Sequence, residues 1–538
     1  VRTVLDIDYR PVLWGLTAKA DGETRFIASE SVTAHLQHIL PLFDLVIGTE
    51  GEFRIAGGKE ELLDALTIVR AVTSATLVVK RGPLGCTIVE GKVPASIDDA
   101  PTYRGVEVEV LNVLGAGDAF ASGFLSEWLR DAPLERCAQT GNICGALVVS
   151  RHGCAPAMPT PAELDYFRAT ALRDPARVRR PELDAMLARL HRVSVKRPAR
   201  DEVLGFAFDH RNQFFELAQQ EGANEGRISQ LKQLFVEAVG QTERALGLDG
   251  RIGVLIDDRY GQDALNAATG RGWWIGRPIE LPGSMPLVFE HGRSIGTTLA
   301  SWPREHIVKC LVHYHPDQAV EDRIEQEAQL RALYDAVQAS GHELLLEVIP
   351  PARASLPEEP DTVYRSLKRL YNLDIQPEWW KLAPMEPQQW QAVDSLIAER
   401  DPYCRGVVLL GLSASVEELT DSFRAAATAR TCKGFTIGRT IFHKPSRAWL
   451  AGEIDNSQLV ASVRGTFEAL IGAWRAARES AGTGTNRGTN TGAIATLQPA
   501  GAPGEILEMR DESRARSRSP APEGTIASLG AAPQEAVR

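Results

Sequence analysis

Cysteine is scarce and scattered, seven residues in 538 with no Cys-x-x-Cys pair. No histidine cluster has zinc spacing. Both absences point away from a structural metal and toward reduced thiols in a cytoplasm. No apolar run approaches membrane-spanning length and no signal peptide opens the chain, so neither a membrane nor an export route is expected. An excess of positive charge is missing too. The net charge is −11, which argues against nucleic acid as a partner. Anionic substrates would then need local Lys and Arg clusters. Large hydrophobes thin out over residues 480–538, where Gly, Thr, Ala, Pro and Ser dominate, and disorder is expected there. A Met start is also lacking. The chain enters directly on an apolar strand and reads as a fragment whose natural start is missing.

What the chain does have is 44% hydrophobic residues, enough for more than one core at this length. Over residues 1–170 strand-like runs at 4–7, 45–48, 77–80 and 87–90 alternate with helical spacing at 31–42, 59–72, 118–130 and 138–150. This is α/β patterning of the doubly wound kind. Residues 171–202, rich in Arg, Pro and Leu, read as a solvated linker with one helix. From 203 to 475 eight strand starts recur, at 203, 252, 272, 308, 343, 378, 406 and 434, each followed by a helix-length segment. That rhythm predicts a (β/α)8 TIM barrel.

Two places carry chemistry. The first is Leu114-Gly115-Ala116-Gly117-Asp118-Ala119-Phe120. Its glycines let a ligand approach the backbone, and the free N–H groups of a helix start bind anions. Asp118 beside them can take a proton from a hydroxyl while a phosphoryl group arrives. The alternative is an aspartate that merely complements the helix dipole. The other place is the C-terminal rim of the barrel, where barrel chemistry sits. Asp209, His210 and Arg211 follow the first strand, and Asp257, Asp258 and Arg259 the second. His313 and His315 follow the fourth, Glu347 and Lys381 lie in the fifth and sixth, Ser413 follows the seventh, and Gly438 and Arg439 the eighth. Lys381, in an apolar strand, is a candidate Schiff-base amine, since burial disfavours the ammonium form. Pairing with Glu347 at the mouth is the alternative; Glu347 could shuttle protons, hold Lys381, or do both. Gly438-Arg439 suits a barrel phosphate seat. Lys309 is a weaker candidate for the amine, because it lies near a strand start and is placed on the stability face.

Asn112-Val113-Leu114-Gly115-Ala116-Gly117-Asp118-Ala119-Phe120 resembles the signature of the ribokinase-like (PfkB) sugar kinases. Three further segments match in order: Leu5-Asp6-Ile7-Asp8-Tyr9-Arg10-Pro11, Val46-Ile47-Gly48-Thr49-Glu50-Gly51-Glu52-Phe53, and Val78-Val79-Lys80-Arg81-Gly82-Pro83-Leu84-Gly85-Cys86. The segment from Val46 to Phe53 is similar to the family's Asn-x-x-Glu motif, with Thr49 in place of Asn. The resemblance implies a partial ribokinase-like sheet using ATP and Mg2+. Asp118 would be the base; Gly115, Ala116, Gly117, Gly82, Gly85 and Asn142 would bind nucleotide and phosphate, and Glu52 would help magnesium through water. The family's sugar-binding Gly-Gly segment and lid strands have no counterpart here, so little kinase turnover is expected. Such kinases are often dimers, which implies a homo-oligomer.

The barrel segments Phe208-Asp209-His210-Arg211, Leu255-Ile256-Asp257-Asp258-Arg259-Tyr260-Gly261, Val312-His313-Tyr314-His315-Pro316-Asp317, Leu409-Leu410-Gly411-Leu412-Ser413-Ala414-Ser415 and Ile437-Gly438-Arg439 resemble the barrel fused to bacterial inositol-catabolism kinases. That barrel is distantly similar to class I tagatose-bisphosphate aldolases. The two resemblances imply phosphorylation of 5-dehydro-2-deoxygluconate on its 6-hydroxyl. Cleavage to dihydroxyacetone phosphate and malonate semialdehyde would follow, with Lys381 forming the imine and no cofactor for the barrel. Asp209, Arg211, Asp257, Asp258 and Ser413 are the barrel's substrate-binding candidates. The alternatives are a kinase of another sugar specificity with an inert barrel, and a sensor of phosphorylated sugars.

Overall fold

The N-terminal strands are near-continuous apolar runs, as a sheet covered on both faces requires. In a computed structural model, which describes residues 1–17, 26–195, 200–350, 356–411 and 413–485, β1 (Val4–Asp6), β2 (Leu45–Thr49), β3 (Thr76–Lys80), β4 (Cys86–Val89) and β5 (Thr102–Tyr103) form one sheet in that order. The first three strands are parallel, and β4 and β5 return antiparallel. Val46 faces a core built with α1 (Glu30–Ile39), α2 (Glu50–Gly57) and α3 (Leu62–Val72). Its neighbours Leu45 and Ile47 face Phe120 and Phe124 of α4 (Ala116–Trp128) and Cys137 of α5 (Leu134–Val149). Helices on both faces make this half doubly wound.

Helix α6 (Pro161–Arg173) and helix α7 (Ala185–Val193) follow. The linker is not a solvated connector over this stretch, because its arginines are engaged. Arg189 Nη2 pairs with Asp401 at 2.8 Å and Nη1 donates to the Tyr334 hydroxyl at 2.8 Å. Arg192 pairs with Glu378 and donates to the carbonyl of His342 at 2.9 Å. Asp401, Glu378 and His342 all lie just ahead of barrel strands, so α7 is pinned to the foot of the barrel.

The eight barrel strands close on themselves in parallel: β6 (Val203–Ala207), β7 (Ile252–Leu255), β8 (Trp274–Pro278), β9 (His306–His313), β10 (Glu343–Ile349), β11 (Trp379–Leu382), β12 (Gly406–Leu410) and β13 (Cys432–Ile437). The helices around them are α8 (Asn212–Gln220), α9 (Gly226–Leu246), α10 (Gln262–Ala268), α11 (Ile295–Ala300), α12 (Val320–Ser340), α13 (Thr362–Asn372), α14 (Pro387–Arg400), α15 (Val416–Ala426), α16 (Arg439–Leu450) and α17 (Asn456–Thr485). Helix α17 therefore carries order through residues 480–485, which the sequence placed in the tail. The rest of the tail lies outside the described residues. Among the described residues no helix is long and apolar enough to cross a membrane.

Two layers of side chains fill the barrel in the way strand alternation demands. Ala207, Ile307, Leu345 and Trp379 belong to the apolar inner layer. Phe206, Phe208, Val308, Cys310, Leu346 and Trp380 point outward into the helix-facing core. Two residues beyond each inner member, on the same face, stand Asp209, Lys309, Glu347 and Lys381. The charged layer thus sits on an apolar floor.

Candidate active sites

The charged layer opens into a cavity of about 310 Å3 at the C-terminal rim. Glu347 and Lys381 are register partners across β10 and β11, which places their side chains together. Lys381 Nζ lies 3.1 Å from Glu347 Oε1. Lys309 Nζ is 3.0 Å from Glu347 Oε2, 3.0 Å from Glu280 Oε1 and 3.3 Å from Asp209 Oδ2. All five side chains are buried.

Burial alone would favour the neutral amine of Lys309, but Glu280, Glu347 and Asp209 outweigh it and hold the ammonium well above its usual range. Burial likewise pushes the Asp209 carboxyl up, and Lys309 reverses this, keeping Asp209 well below the carboxylate range. Glu347 is lowered in the same way, by Lys309 and Lys381 against its burial. Next to Asp209, burial drives His210 down to about 4 and keeps its ring neutral. The layer is a network of opposed charges, with Lys309 as its hub and Lys381 at its edge bonded only to Glu347 among the described residues.

Lys309 corrects the sequence reading. Its strand begins at His306 rather than Val308, so Lys309 lies mid-strand on the inner face and not on the stability face. Glu280 was also missed, because it lies past the end of β8 at an isolated bridge to Phe289. A period-two count from Ile307 would have found Lys309.

Arg211 lines the cavity as expected. It is held by Glu280 at 3.2 Å and by Glu290, so its charge is matched. Ser413 lines the cavity with a left-handed φ of 67°. Gly438 and Arg439 line it too, at the first turn of α16. A Cβ on Gly438 would come 2.4 Å from the Ala207 carbonyl, so glycine is required where β13 and β6 meet. Arg439 is exposed and has no carboxylate partner among the described residues.

Asp257 and Asp258 do not join the site, contrary to expectation. Asp257 is fully buried and paired with Lys232, and its other oxygen accepts from the Tyr260 N–H at 2.9 Å. Asp258 is paired with Arg277 at 2.9 Å and with His291 at 2.9 Å. His315 is also turned away, with its Nε2 3.2 Å from the Pro357 carbonyl.

The other candidate site is the turn into α4. Gly115 caps the helix with φ 81°, and a Cβ there would meet the Cys154 thiol at 2.5 Å. Asp118 stands in the first helical turn and is exposed. Lys80 links this turn to a neighbouring cavity. A Cβ on Gly117 would come 3.4 Å from Lys80 Nζ, and Lys80 also lines a cavity of about 1080 Å3 with Thr49, Arg54, Lys59, Arg81 and Gly82. Lys80 is paired with Asp6 at 2.9 Å.

Three residues expected to bind nucleotide or metal have structural employment. Glu52 closes the capping box of α2, accepting from the Thr49 N–H at 2.6 Å and from the Tyr9 N–H at 3.2 Å. Both carboxylate oxygens are thus already engaged, one backbone N–H to each. Asn142 spends its amide N–H groups on the carbonyls of Tyr103 and Arg104, at 2.9 and 3.1 Å. Gly85 is required because a Cβ would lie 2.0 Å from the Tyr103 carbonyl, which is a packing reason rather than a ligand contact.

Comparison with known proteins divides the chain where the fold does. Residues 17–161 match the family model described as pfkB family carbohydrate kinase. The 5-dehydro-2-deoxygluconokinase of Bacillus licheniformis is 29% identical over 174 residues, which cover 31% of this chain and 47% of the relative. That of Bacillus anthracis is 30% identical over 176 residues, covering 31% of this chain and 46% of the relative. The chain spans about half the length of the curated relatives it matches. The solved fructose-bisphosphate aldolase of Plasmodium falciparum superposes with a TM-score of 0.39 at 12% identity, over 53% of this chain and 93% of that one, too loosely to support an argument. Residues 163–478, more than half of the chain, carry α7 and the whole barrel and match the model described as an uncharacterized protein conserved in bacteria, so the chain belongs to the DUF2090 family.

Proposed function

We propose that the barrel is a lyase that breaks a carbon–carbon bond of a phosphorylated keto sugar acid through an imine on Lys381. The observation that carries this reading is the buried chain Lys381–Glu347–Lys309–Asp209 at the barrel mouth. An amine held by one carboxylate can attack a ketone. Glu347, in contact with Nζ, takes and returns the protons of that amine. Asp209, kept ionised beyond Lys309, accepts the hydroxyl proton as the bond breaks. Arg439 and the first turn of α16 supply the phosphate seat. The substrate is 5-dehydro-2-deoxygluconate 6-phosphate. With the imine at C5, the bond between C3 and C4 breaks, the C3 hydroxyl loses its proton and becomes the aldehyde of malonate semialdehyde, and C4 keeps the electron pair as an enamine. Protonation of C4 and hydrolysis of the imine release dihydroxyacetone phosphate.

The kinase segment supplies the phosphate in this reading. ATP with Mg2+ would lie at the glycine turn of α4, its phosphates on the backbone N–H groups beside Gly115, Ala116 and Gly117, with Asp118 as base toward the sugar hydroxyl. The names of the kinase relatives and the turn's geometry support it. Equilibrium binding of Mg-ATP to the full chain, abolished by Gly115→Val, tests this half, and no binding by the unaltered chain refutes it. For the barrel, borohydride reduction in the presence of dihydroxyacetone phosphate is expected to leave a stable adduct on the Lys381 peptide, absent in Lys381→Ala. An unmodified Lys381 in the unaltered chain refutes the imine and favours the inert or sensing barrel.

A further inference from the structure

Behind the barrel mouth, on the helix side, lies a buried cation that the proposed chemistry does not use. Lys232 of α9 is fully buried. Its Nζ donates to the Phe208 carbonyl at 2.9 Å and to the His210 carbonyl at 3.1 Å, and it pairs with Asp257. An ammonium has three N–H donors, and this one has a partner for each. Asp257 is fixed in turn by the Tyr260 N–H at 2.9 Å. The Lys232 charge also lies 4.9 Å from the Phe214 ring centre.

The two carbonyls flank a single residue, Asp209. Phe208 points outward into the helix-facing core, and Asp209 points inward with its carboxylate 3.3 Å from Lys309 Nζ. Strand β6 ends at Ala207, so Asp209 stands beyond regular strand pairing. A residue there has no full ladder to fix its direction, and a clamp on the carbonyls either side replaces that ladder.

We infer that the Lys232–Asp257 pair is a positioning device that aims the Asp209 carboxylate at the reacting centre. The inference rests on the barrel reading above. Lys232 lines neither of the two cavities described and is not a catalytic residue. A buried charge pair costs desolvation that apolar residues of like volume avoid, and here it fixes the direction of a proton acceptor.

The test uses the full chain with 5-dehydro-2-deoxygluconate 6-phosphate, following release of dihydroxyacetone phosphate against pH. Lys232→Met leaves Asp257 buried without its partner and can fail by unfolding. The paired variant Lys232→Met with Asp257→Leu removes both charges and keeps apolar volume. In that variant kcat is expected to fall about a hundredfold, the scale of a displacement near 1 Å, with KM within about twofold because the phosphate seat is untouched. The acid limb of the kcat profile is expected to move to higher pH as Asp209 swings from Lys309. Borohydride trapping on Lys381 is expected to stay intact. Unchanged kcat and an unmoved acid limb in a folded paired variant overturn the inference. Loss of trapping in the unaltered chain overturns the barrel reading instead, so the two failures are distinguishable.

Discussion

Replacing Lys309 by Met should reverse the sign of the carboxylate contribution to the barrel mouth's response to acid. Lys309 lies 3.0 to 3.3 Å from three carboxylates, with every member at most 7% exposed. At an effective dielectric of about 20 each such contact is worth roughly 5 kcal/mol before desolvation. Removing one partner of a buried pair costs about 3–5 kcal/mol net. At roughly 2 °C per kcal/mol for a domain of this size, the melting temperature should drop by about 6–10 °C near neutrality. In the unaltered protein Asp209 and Glu347 are lowered by their cations. Their stabilisation is therefore complete above the ordinary carboxylate range and lost as pH falls through their folded values. In Lys309→Met, Asp209 loses the cation with the largest effect on it while staying buried, with the more distant Lys381 and Arg211 left to oppose burial, and its folded value is expected to rise above the ordinary one. The folded state then binds protons more readily than the unfolded one, and stability is regained as pH falls. Thermal melts of both proteins from pH 8 to pH 5 should show the gap narrowing steadily. A gap that stays constant with pH, or a cost below about 1 kcal/mol, would refute the network as an electrostatic unit.

Other outcomes follow from single contacts. Arg439→Ala should weaken competition by inorganic phosphate about tenfold, or roughly 1.4 kcal/mol, in an equilibrium titration. No change would remove Arg439 from the phosphate seat. His210 is held near 4 by burial, below its ordinary 6.5, so the protein should lose stability as pH falls from 6.5 toward 4. The loss should approach about 3 kcal/mol and be absent from the same denaturant series on His210→Asn. Arg189→Met leaves Asp401, 1% exposed, without its partner and should cost about 3–5 kcal/mol by denaturant midpoint. A cost within about 0.5 kcal/mol would mean that α7 does not brace the barrel.

Much of this was legible along the chain, for a reason that strands make plain. Each barrel strand is a short apolar run closed by polar residues, so all eight stood out, and Glu347, Lys381, Ser413 and Arg439 could be read from their place at strand ends. Lys309 could not, because placing the strand start at Val308 instead of His306 moved it to the wrong end of the barrel. Asp257 and Asp258 share with Asp209 the same sequence setting, two residues or so past an apolar run. What separates them is a partner. Asp257 is drawn outward by Lys232, 25 residues away, and Asp258 by Arg277 and His291. No local spacing encodes such pairings. Helix α2 was hidden for another reason, since its capping box uses the same Glu52 that the kinase resemblance assigned to magnesium.

Helix α7 grips the foot of the barrel, while the charged layer opens at the opposite rim. On the proposed function, a phosphorylated sugar made at the glycine turn is expected to pass through the surrounding pool before reaching that rim. Unlabelled sugar phosphate added to the medium should then dilute a label introduced through the phosphorylation step. If both proposed activities hold, the fusion would supply the two sites in matched amounts rather than a private conduit between them.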